Sequence, residues 1–224
     1  MSNVQVTEIK KSNYYLLAKR TMDIIFSIFL LIFFSPIIII IAIAIKLDSR
    51  GPILADTPRR VGKDGKLFKM YKFRSMVENA HEILRENPKY STLYDAYKKG
   101  SYKLKDDPRI TVVGHFIRKH SLDEIPQALN ILKGEMSLVG PRAYYPDELR
   151  NQQKKYPHTI DSVKIVLSVK PGVTGFWQVS GRSEINFDKR IEMDASYVRK
   201  RFLLYDFWII AKTPWAMVTG RGAL

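Results

Sequence analysis

The chain contains no cysteine and only four histidines, and these shortages exclude several kinds of chemistry. Without cysteine there is no thiol nucleophile, no structural disulfide and no Cys-ligated zinc. The histidines, His81, His115, His120 and His158, do not have the HExxH spacing of zinc enzymes. We therefore expect that any metal ion bound here is a hard cation held by oxygen ligands.

Glycine-rich phosphate motifs and acidic residues are also in short supply. The sequence has neither the GxxxxGK pattern of the P-loop nor the GxGxxG pattern of dinucleotide-binding folds, which weighs against both classes. Only 22 acidic residues oppose 37 Lys and Arg, and the formal charge is +15. This balance implies an anionic partner such as phosphate, anionic lipid, nucleic acid or nucleotide.

One long hydrophobic run is present, MDIIFSIFLLIFFSPIIIIIAIAI at residues 22–45, and its only charge is Asp23. Its length predicts a membrane-embedded helix. Ser35-Pro36 near its centre predicts a break, because proline lacks a backbone donor and its ring clashes with the carbonyl of Ile32. The hydroxyl of Ser35 is one candidate partner for that carbonyl.

Basic residues flank the run on both sides. Those before it are Lys10, Lys11, Lys19 and Arg20, and those after it are Lys46, Arg50, Arg59 and Arg60. The positive-inside tendency predicts that both ends lie in the cytoplasm. About 12 residues on each side of the break would reach roughly the middle of the bilayer and return. These facts leave two interpretations open, a re-entrant helical hairpin and a kinked helix that spans once.

The segment after the run predicts a β-hairpin, with strands at residues 53–61 and 66–73 around the Lys63-Asp64-Gly65 turn. Its second strand, KLFKMYKFRSM, alternates basic and aromatic residues. Such a strand can stack nucleic-acid bases, but beside a membrane it is more typical of contacts with lipid headgroups or a phosphorylated substrate. The aromatic residues of 201–218 suit either a membrane-interface helix or a core helix.

The stretch HSLDEIPQALNILKG, residues 120–134, predicts an amphipathic helix with two carboxylates, Asp123 and Glu124, in its first turn. One interpretation is structural, because Ser121 and Glu124 have the S-x-x-E form of a capping box. The other is chemical: a helix N-terminus would keep Asp123 ionised and favour a phosphoryl group beside it, as a carboxylate nucleophile requires.

Phosphoryl chemistry also needs cations and a divalent metal to offset the charge on the transferring group. Arg118 lies just before the stretch, Arg142 follows a Gly-Pro turn, and Arg182 lies in a glycine-punctuated loop. Taken singly, each arginine is more typical of a surface charge or an exposed salt bridge.

Six motifs, in a fixed order, resemble the small monotopic polyprenol-phosphate phosphoglycosyl transferases, often called bacterial sugar transferases. The match runs from about residue 18 to residue 216 and departs from the family pattern at ADTPRR, residues 55–60. The motifs are KRTMD (19–23), the Ser-Pro break, YKFRSM (71–76), DPRIT (107–111), IRKHSLDEIPQALNILKGEMSLVGPR (117–142) and KPGVTGFWQVSGR (170–182).

The resemblance implies transfer of a sugar 1-phosphate from a UDP-sugar to undecaprenyl phosphate, with release of UMP, at the start of exopolysaccharide, capsule or O-antigen assembly. It implies Asp123 as the nucleophile that carries the phosphosugar, Glu124 as its dyad partner and Mg²⁺ held near Asp123. Because neighbouring residues on an α-helix point about 100° apart, a shared ligand would need an irregular turn there. The implied substrate contacts are Lys72, Arg74, Arg118, Arg142, Gln178 and Arg182. GPRAYYPDE, residues 140–148, is similar to members that use UDP-galactose or UDP-glucose.

The expected fold is α+β and mostly helical. It comprises an N-terminal interfacial segment (1–21), a re-entrant membrane helix broken at Ser35-Pro36 (22–46) and a small cytoplasmic catalytic domain with a β-hairpin and amphipathic membrane-interface helices (47–224). We expect a monotopic protein on the cytoplasmic face of the bacterial inner membrane. Its expected partners are a UDP-sugar donor, undecaprenyl phosphate and membrane lipids but not nucleic acid, and a homo-oligomer is left open.

Two other functional classes compete with an enzyme. A membrane-tethered basic module that binds nucleic acid or anionic lipid without chemistry would use the same charges. A transporter or channel is disfavoured, because one apolar segment offers no helix bundle for a path.

Overall fold

The structure, a computed structural model, describes residues 11–99, 104, 106–181 and 185–218. These residues form a mostly helical α+β fold with two small sheets, which confirms the predicted fold class at that level. The helices are α1 (Asn13–Phe33), α2 (Ser35–Asp48), α3 (Ala80–Glu86), α4 (Ser91–Lys99), α5 (Val112–Lys119), α6 (Gln127–Lys133), α7 (Pro146–Lys155), α8 (Ile160–Leu167), α9 (Phe176–Ser180), α10 (Phe187–Lys200) and α11 (Leu203–Val218), and the strands are β1 (Arg60–Val61), β2 (Leu67–Phe68), β3 (Ser137–Val139) and β4 (Gly172–Thr174).

The apolar run forms the helix pair α1 and α2, bent by 62°. The break falls at Phe34, directly before Ser35-Pro36, as the proline predicted. The hydroxyl of Ser35 donates to the freed carbonyl of Ile32 at 2.7 Å, so this carbonyl has the predicted partner. The bend is therefore a local consequence of two adjacent residues.

In the described part of the chain, no helix is by itself long and apolar enough to cross a membrane, but α1 and α2 together meet that requirement. The pair carries a dense set of exposed apolar side chains: Ile25, Ile28, Phe29, Ile32, Phe33, Ile39, Ile40 and Ile43. A contiguous exposed surface of this kind is typical of contact with lipid or another apolar partner.

Polar contacts fix α1 to the rest of the fold. Asp23, the one charge in the apolar run, is 3% exposed and accepts hydrogen bonds from Ser137 Oγ (3.0 Å) and the Leu138 N–H (2.9 Å). Arg20 donates to two carbonyls in the last turns of α6, at 2.6 and 2.8 Å. The ends of β3 and α6 therefore take their hydrogen-bond partners from α1.

The predicted β-hairpin is present. Strands β1 and β2 pair antiparallel, and the turn between them has Asp64 at φ 56° and Gly65 at φ 77°, as a tight Asp-Gly turn requires. The pairing is shorter than predicted and resumes only at one bridge further out. The reason is that the Tyr71 N–H bonds to Asn130 Oδ1 (2.9 Å) instead of to the opposite strand.

A second sheet was not predicted. Strands β3 and β4 pair parallel, with Ser137 opposite Gly172 and Val139 opposite Thr174. The main core is built around this sheet and helices α7, α8, α10 and α11. Its buried residues are Val61, Val139, Tyr144, Leu149, Val163, Ile165, Val166, Phe187, Ile191, Ala195, Tyr197, Val198 and Ile209.

Helix α11 is amphipathic. Ile209 and Asp206 are fully buried, whereas Leu204, Trp208 and Trp215 are exposed. Tryptophan on the exposed side of a helix is typical of a membrane interface. Of the two interpretations of residues 201–218, the exposed aromatic face favours the interfacial helix.

Candidate active site

The backbone around Asp123 differs from the predicted helix start. Helix α5 ends at Lys119, Ser121 has φ 55°, a 3₁₀ turn covers Leu122–Glu124, and α6 begins only at Gln127. An N-cap residue normally has extended dihedrals, and Ser121 makes no capping bond from its side chain, so the capping-box interpretation is wrong. The irregular turn that a shared ligand would need is present.

Lys72 brings the two carboxylates together. Its Nζ lies 2.7 Å from Glu124 Oε1 and 3.4 Å from Asp123 Oδ2. The strand segment that carries Lys72 is held in register by the Phe73 N–H, which donates to the Asp123 carbonyl at 2.9 Å. Asp123 is 6% exposed, whereas the side chain of Glu124 is about one third exposed. The Lys72 ammonium therefore forms ion pairs with both the buried carboxylate of Asp123 and the more accessible carboxylate of Glu124.

The electrostatic balance at this pair depends on Lys72. Burial raises the pKa of Asp123; Lys72 opposes that rise, the neighbouring Glu124 adds to it, and Arg118 opposes it again. Burial alone would lower the pKa of Lys72, but the two carboxylates outweigh burial and raise it. We expected a helix N-terminus to keep Asp123 ionised. The structure instead places the Lys72 ammonium there, where it opposes the rise in the pKa of Asp123 without cancelling it.

The pair opens into a cavity of about 1250 Å³. Seven of the eight residues predicted to take part in chemistry or substrate binding line it: Lys72, Arg74, Arg118, Asp123, Glu124, Arg142 and Gln178. The eighth, Arg182, lies outside the described residues. The cavity is large enough for a drug-sized or nucleotide-sized ligand, because such sites typically measure about 300–1,000 Å³.

Arg142 and Gln178 sit together on one wall of the cavity. The Arg142 guanidinium carbon lies 5.6 Å from the ring centre of Trp177, the neighbour of Gln178. Asp194 Oδ2 accepts the Arg142 backbone N–H at 3.1 Å and so anchors the Gly-Pro turn. Gln178 donates to the Val173 carbonyl at 2.8 Å, and its buried Oε1 has no partner within the described residues.

Arg74 has contacts other than those predicted. Its guanidinium donates to the carbonyls of Ile45 (3.2 Å), Ser49 (2.7 Å) and Arg50, at the C-terminal end of α2. The side chain is 4% exposed. In this arrangement Arg74 caps α2 next to the site, and its proposed phosphate contact stays a prediction.

Comparison with known proteins decides the family. The profile of the family described as bacterial sugar transferase matches residues 14–220, nearly the whole chain. The chain belongs to the bacterial sugar transferase family. This bears out the resemblance in the six motifs.

The names of three relatives of this bacterial sugar transferase refer to sugar phosphate transfer or to exopolysaccharide production. It is 46% identical over 214 residues to the undecaprenyl-phosphate galactose phosphotransferase of Salmonella typhimurium, covering 96% of this chain and 43% of that protein. It is 39% identical over 207 residues to the exopolysaccharide production protein ExoY of Sinorhizobium fredii, covering 92% and 88%. The UDP-glucose:undecaprenyl-phosphate glucose-1-phosphate transferase of Escherichia coli is 38% identical over 202 residues, covering 88% and 39%. The chain therefore spans less than half of two of these relatives and most of the third.

The donor set of this sugar transferase fits Mg²⁺. Asp123 and Glu124 supply two carboxylates at the cavity, and no cluster of three or more metal-binding side chains occurs within the described ranges. Mg²⁺ is commonly held by one or two carboxylates, with water and substrate phosphates completing its shell. A donor set of this size therefore suits an ion that arrives with a phosphorylated substrate.

Several residues at the cavity of this sugar transferase were not predicted from the sequence. Arg60, His81 and Trp177 line the cavity, and Asp194 lies behind it. Arg60 ends the ADTPRR segment, directly before Val61-Gly62, and the sequence marked it only as one of the basic residues that follow the apolar run. Trp177 adjoins the predicted Gln178, whereas His81 has no motif that sets it apart.

Proposed function

We infer that this chain transfers a sugar 1-phosphate from a UDP-sugar to undecaprenyl phosphate, with release of UMP, and so begins assembly of a lipid-linked glycan such as an exopolysaccharide. The observation that carries this proposal is the Asp123–Lys72–Glu124 arrangement in the lining of a cavity rich in cationic side chains. Membership of the bacterial sugar transferase family and the names of the relatives support the same conclusion.

The first step uses Asp123 as the nucleophile. A carboxylate oxygen of Asp123 attacks the phosphorus that bears the sugar, and the bond from that phosphorus to the oxygen bridging the two phosphates breaks. That oxygen leaves with UMP. In this step Lys72 holds the carboxylate in place, and Arg118 and Arg142 offset the charge on the phosphate groups.

The second step restores the aspartate. A phosphate oxygen of undecaprenyl phosphate attacks the same phosphorus, the bond to Asp123 breaks, and the product is a lipid-linked sugar diphosphate. Mg²⁺ bound at Asp123, with Glu124 as a second ligand, would supply further positive charge for the donor phosphates. The more exposed carboxylate of Glu124 is the accessible member of the pair.

The acceptor explains the apolar surfaces. Undecaprenyl phosphate presents its phosphate at headgroup depth, so the cavity must lie at the membrane surface. We propose that α1 and α2 form a re-entrant hairpin, that α11 lies in the interface, and that the catalytic part faces the cytoplasm of the bacterium. The 62° bend and the exposed apolar faces support this arrangement.

Mass spectrometry tests the covalent step. Purified protein is incubated with Mg²⁺ and a panel of UDP-sugars without any lipid acceptor, and we expect UMP release together with a sugar-phosphate adduct on Asp123. Asp123→Asn should show neither, whereas Asp161→Asn, an exposed carboxylate on α8, should behave as the parent protein. UMP release only after addition of undecaprenyl phosphate would replace the intermediate by direct transfer. No release with any donor, with or without acceptor, would favour the binding module.

Cysteine labelling tests the membrane topology without background, because the chain has no cysteine of its own. Single variants Ser2→Cys and Lys46→Cys are exposed to a membrane-impermeant maleimide in intact cells and in inverted vesicles. A re-entrant hairpin predicts that both positions react only in inverted vesicles. Reaction of the two positions from opposite sides would show that the segment spans the membrane once.

A further inference from the structure

The cavity has a second polar wall, away from the carboxylate pair, that the proposed mechanism does not use. Arg60 lies over the ring of Tyr145, with its guanidinium carbon 3.3 Å from the ring centre. His81, at the start of α3, meets the same ring at 6.3 Å between centroids. Arg60 is 8% exposed, and its Nε has no hydrogen-bond partner in the described part of the chain.

His81 is uncharged at neutral pH. Burial, together with repulsion from Arg109, Arg60 and Arg85, lowers its pKa to about 4 against a smaller opposing effect of Asp107. A neutral imidazole carries one donor and one acceptor. Neither ring nitrogen bonds to any residue that the structure describes, and the ring lines the cavity. Both hydrogen-bonding positions are therefore available to a ligand.

The neighbouring arginine is not available. The guanidinium of Arg109 donates to Asp107 at 2.8 and 2.6 Å and to the Ala80 carbonyl at 2.8 Å, so its charge is neutralised and its donors are engaged. Among the described residues, Arg109 and Arg85 each have an acidic partner, so a phosphate at this wall would meet Arg60 as the one cation without such a partner. The wall is therefore less suited to a phosphate than the region of Lys72, Arg118 and Arg142.

A stacked base is also disfavoured here. One face of the Tyr145 ring is covered by Arg60, and the His81 ring meets Tyr145 at an interplanar angle of 68°. Base recognition in proteins commonly uses an open aromatic face. His81 presents one hydrogen-bond donor and one acceptor, and Arg60 presents guanidinium donors beside them. This combination suits hydroxyl groups, which both donate and accept hydrogen bonds.

The wall lies within reach of the phosphate region. Arg60 donates to the Ala143 carbonyl at 3.1 Å, and Ala143 directly follows Arg142. Tyr145 is three residues beyond Arg142, a separation of at most about 10 Å between Cα atoms. The wall therefore adjoins the chain segment that carries Arg142, and His81 and Arg142 line the same cavity.

From this geometry we propose that His81 and Arg60 form a subsite that binds hydroxyl groups of the donor's sugar and helps to select which sugar is transferred. The proposal rests on the transfer reaction inferred above.

Steady-state kinetics on His81 variants test the subsite. UMP release is measured with UDP-galactose, UDP-glucose and UDP-N-acetylglucosamine, and inhibition by UMP is measured in parallel because UMP lacks the sugar. His81→Phe keeps the ring contact with Tyr145 but loses both hydrogen bonds, so we expect the KM of the best donor to rise about tenfold, as loss of one or two hydrogen bonds implies. The inhibition constant of UMP should not change.

Two comparisons separate recognition from structure. His81→Gln restores a donor and an acceptor and should recover most of the lost affinity, and His158→Phe, an exposed histidine away from the cavity, should leave the kinetics unchanged. If His81→Phe does not fold, as judged by thermal unfolding, His81→Leu takes its place. Unchanged donor kinetics would overturn the subsite.

Three further outcomes distinguish failure of the sugar subsite from failure of the proposed transfer reaction. An equal rise in the donor KM and in the inhibition constant of UMP would assign His81 to the nucleotide and overturn the sugar subsite. Absence of UMP release from every donor by the unmodified protein would refute the transfer reaction itself, and the subsite would fall with it. Turnover by the unmodified protein with no effect of His81→Phe would refute the subsite alone.

Discussion

Lys72 is the residue through which Asp123 and Glu124 act together. Lys72→Gln removes the ammonium and leaves two neighbouring carboxylates that repel each other, so we expect UMP release to fall by roughly 100-fold, a loss comparable with removal of one charge-stabilising group from an active site. Lys164→Gln, which breaks an exposed pair with Asp161 on α8, is the matched control. Single-turnover release of UMP is the measurement. Retention of more than half the activity would mean that the bridge does not contribute to the chemistry.

Asp194 predicts a pH dependence of stability. Burial raises its pKa to about 7, although the Arg142 N–H and the charges of Arg190 and Arg142 oppose the rise. An unfolded aspartate titrates near pH 3.9, so between about pH 4 and pH 7 the folded state binds more protons than the unfolded state. The free energy of unfolding therefore falls as the pH rises through this window.

Asp194→Asn removes this titration and keeps an acceptor for the Arg142 N–H. We expect the thermal midpoint of the variant, relative to the parent, to increase from pH 5 to pH 8. The corresponding free-energy difference is about 3 kcal/mol, because about two pKa units are traversed in this window at 1.36 kcal/mol per unit. The exposed control Asp161→Asn should show a constant difference. A constant difference for Asp194→Asn as well would place its folded-state pKa in the ordinary range.

At the scale of secondary-structure elements, Arg74 determines how α2 ends. Its planar guanidinium reaches three carbonyls, and the ammonium of Arg74→Lys cannot match that geometry. We expect the substitution to reduce the free energy of unfolding by about 1–3 kcal/mol, since buried carbonyls lose their partners, and to leave the KM of the donor unchanged. Thermal unfolding and donor kinetics measure the two effects, with the exposed Arg85→Lys as control. A raised KM at unchanged stability would instead support a phosphate contact.

Structural elements that are determined by neighbouring residues were predictable from the sequence, whereas elements that depend on contacts with distant residues were not. Ser35-Pro36 and Asp64-Gly65 impose a break and a turn on their own backbone, and both occur where predicted. Ser121 follows the end of α5 with φ 55° and not with the extended dihedrals of an N-cap, so the S-x-x-E pattern was misleading. The parallel pairing of Ser137 with Gly172 joins three-residue strands that have no periodic signal of their own.

At the scale of the whole molecule, the same distinction applies to the site. The motifs of the resemblance identified seven residues that line one cavity, but pattern alone could not place Arg60 and His81 there. Their position depends on packing against Tyr145, far away in the sequence. The predicted domain boundary at residue 47 likewise separates residues that contact each other in the folded structure.

Those contacts predict that the membrane helices and the catalytic part fold as one unit. The buried carboxylate of Asp206 accepts hydrogen bonds from Tyr15 (3.0 Å), Lys19 (2.8 Å) and Tyr197 (2.6 Å), and two of these three donors lie on α1. A chain that begins at residue 47 would lose two of these three donors, including the ammonium of Lys19, and loss of a partner from a buried ion pair typically costs about 3–5 kcal/mol. It would also lack the hydrogen bonds that Asp23 forms with β3 and that Arg20 forms with α6.

We therefore expect residues 47–224 alone to show no cooperative thermal transition by circular dichroism in detergent, under conditions in which the full chain unfolds in one step. The full chain with Asp206→Asn, which keeps all the helices but removes the buried charge, should unfold cooperatively at a lower midpoint. That graded result would attribute the failure of the truncated chain to lost tertiary contacts, not to lost solubility. A cooperative transition together with UMP release by residues 47–224 would contradict this view and establish them as an independent domain.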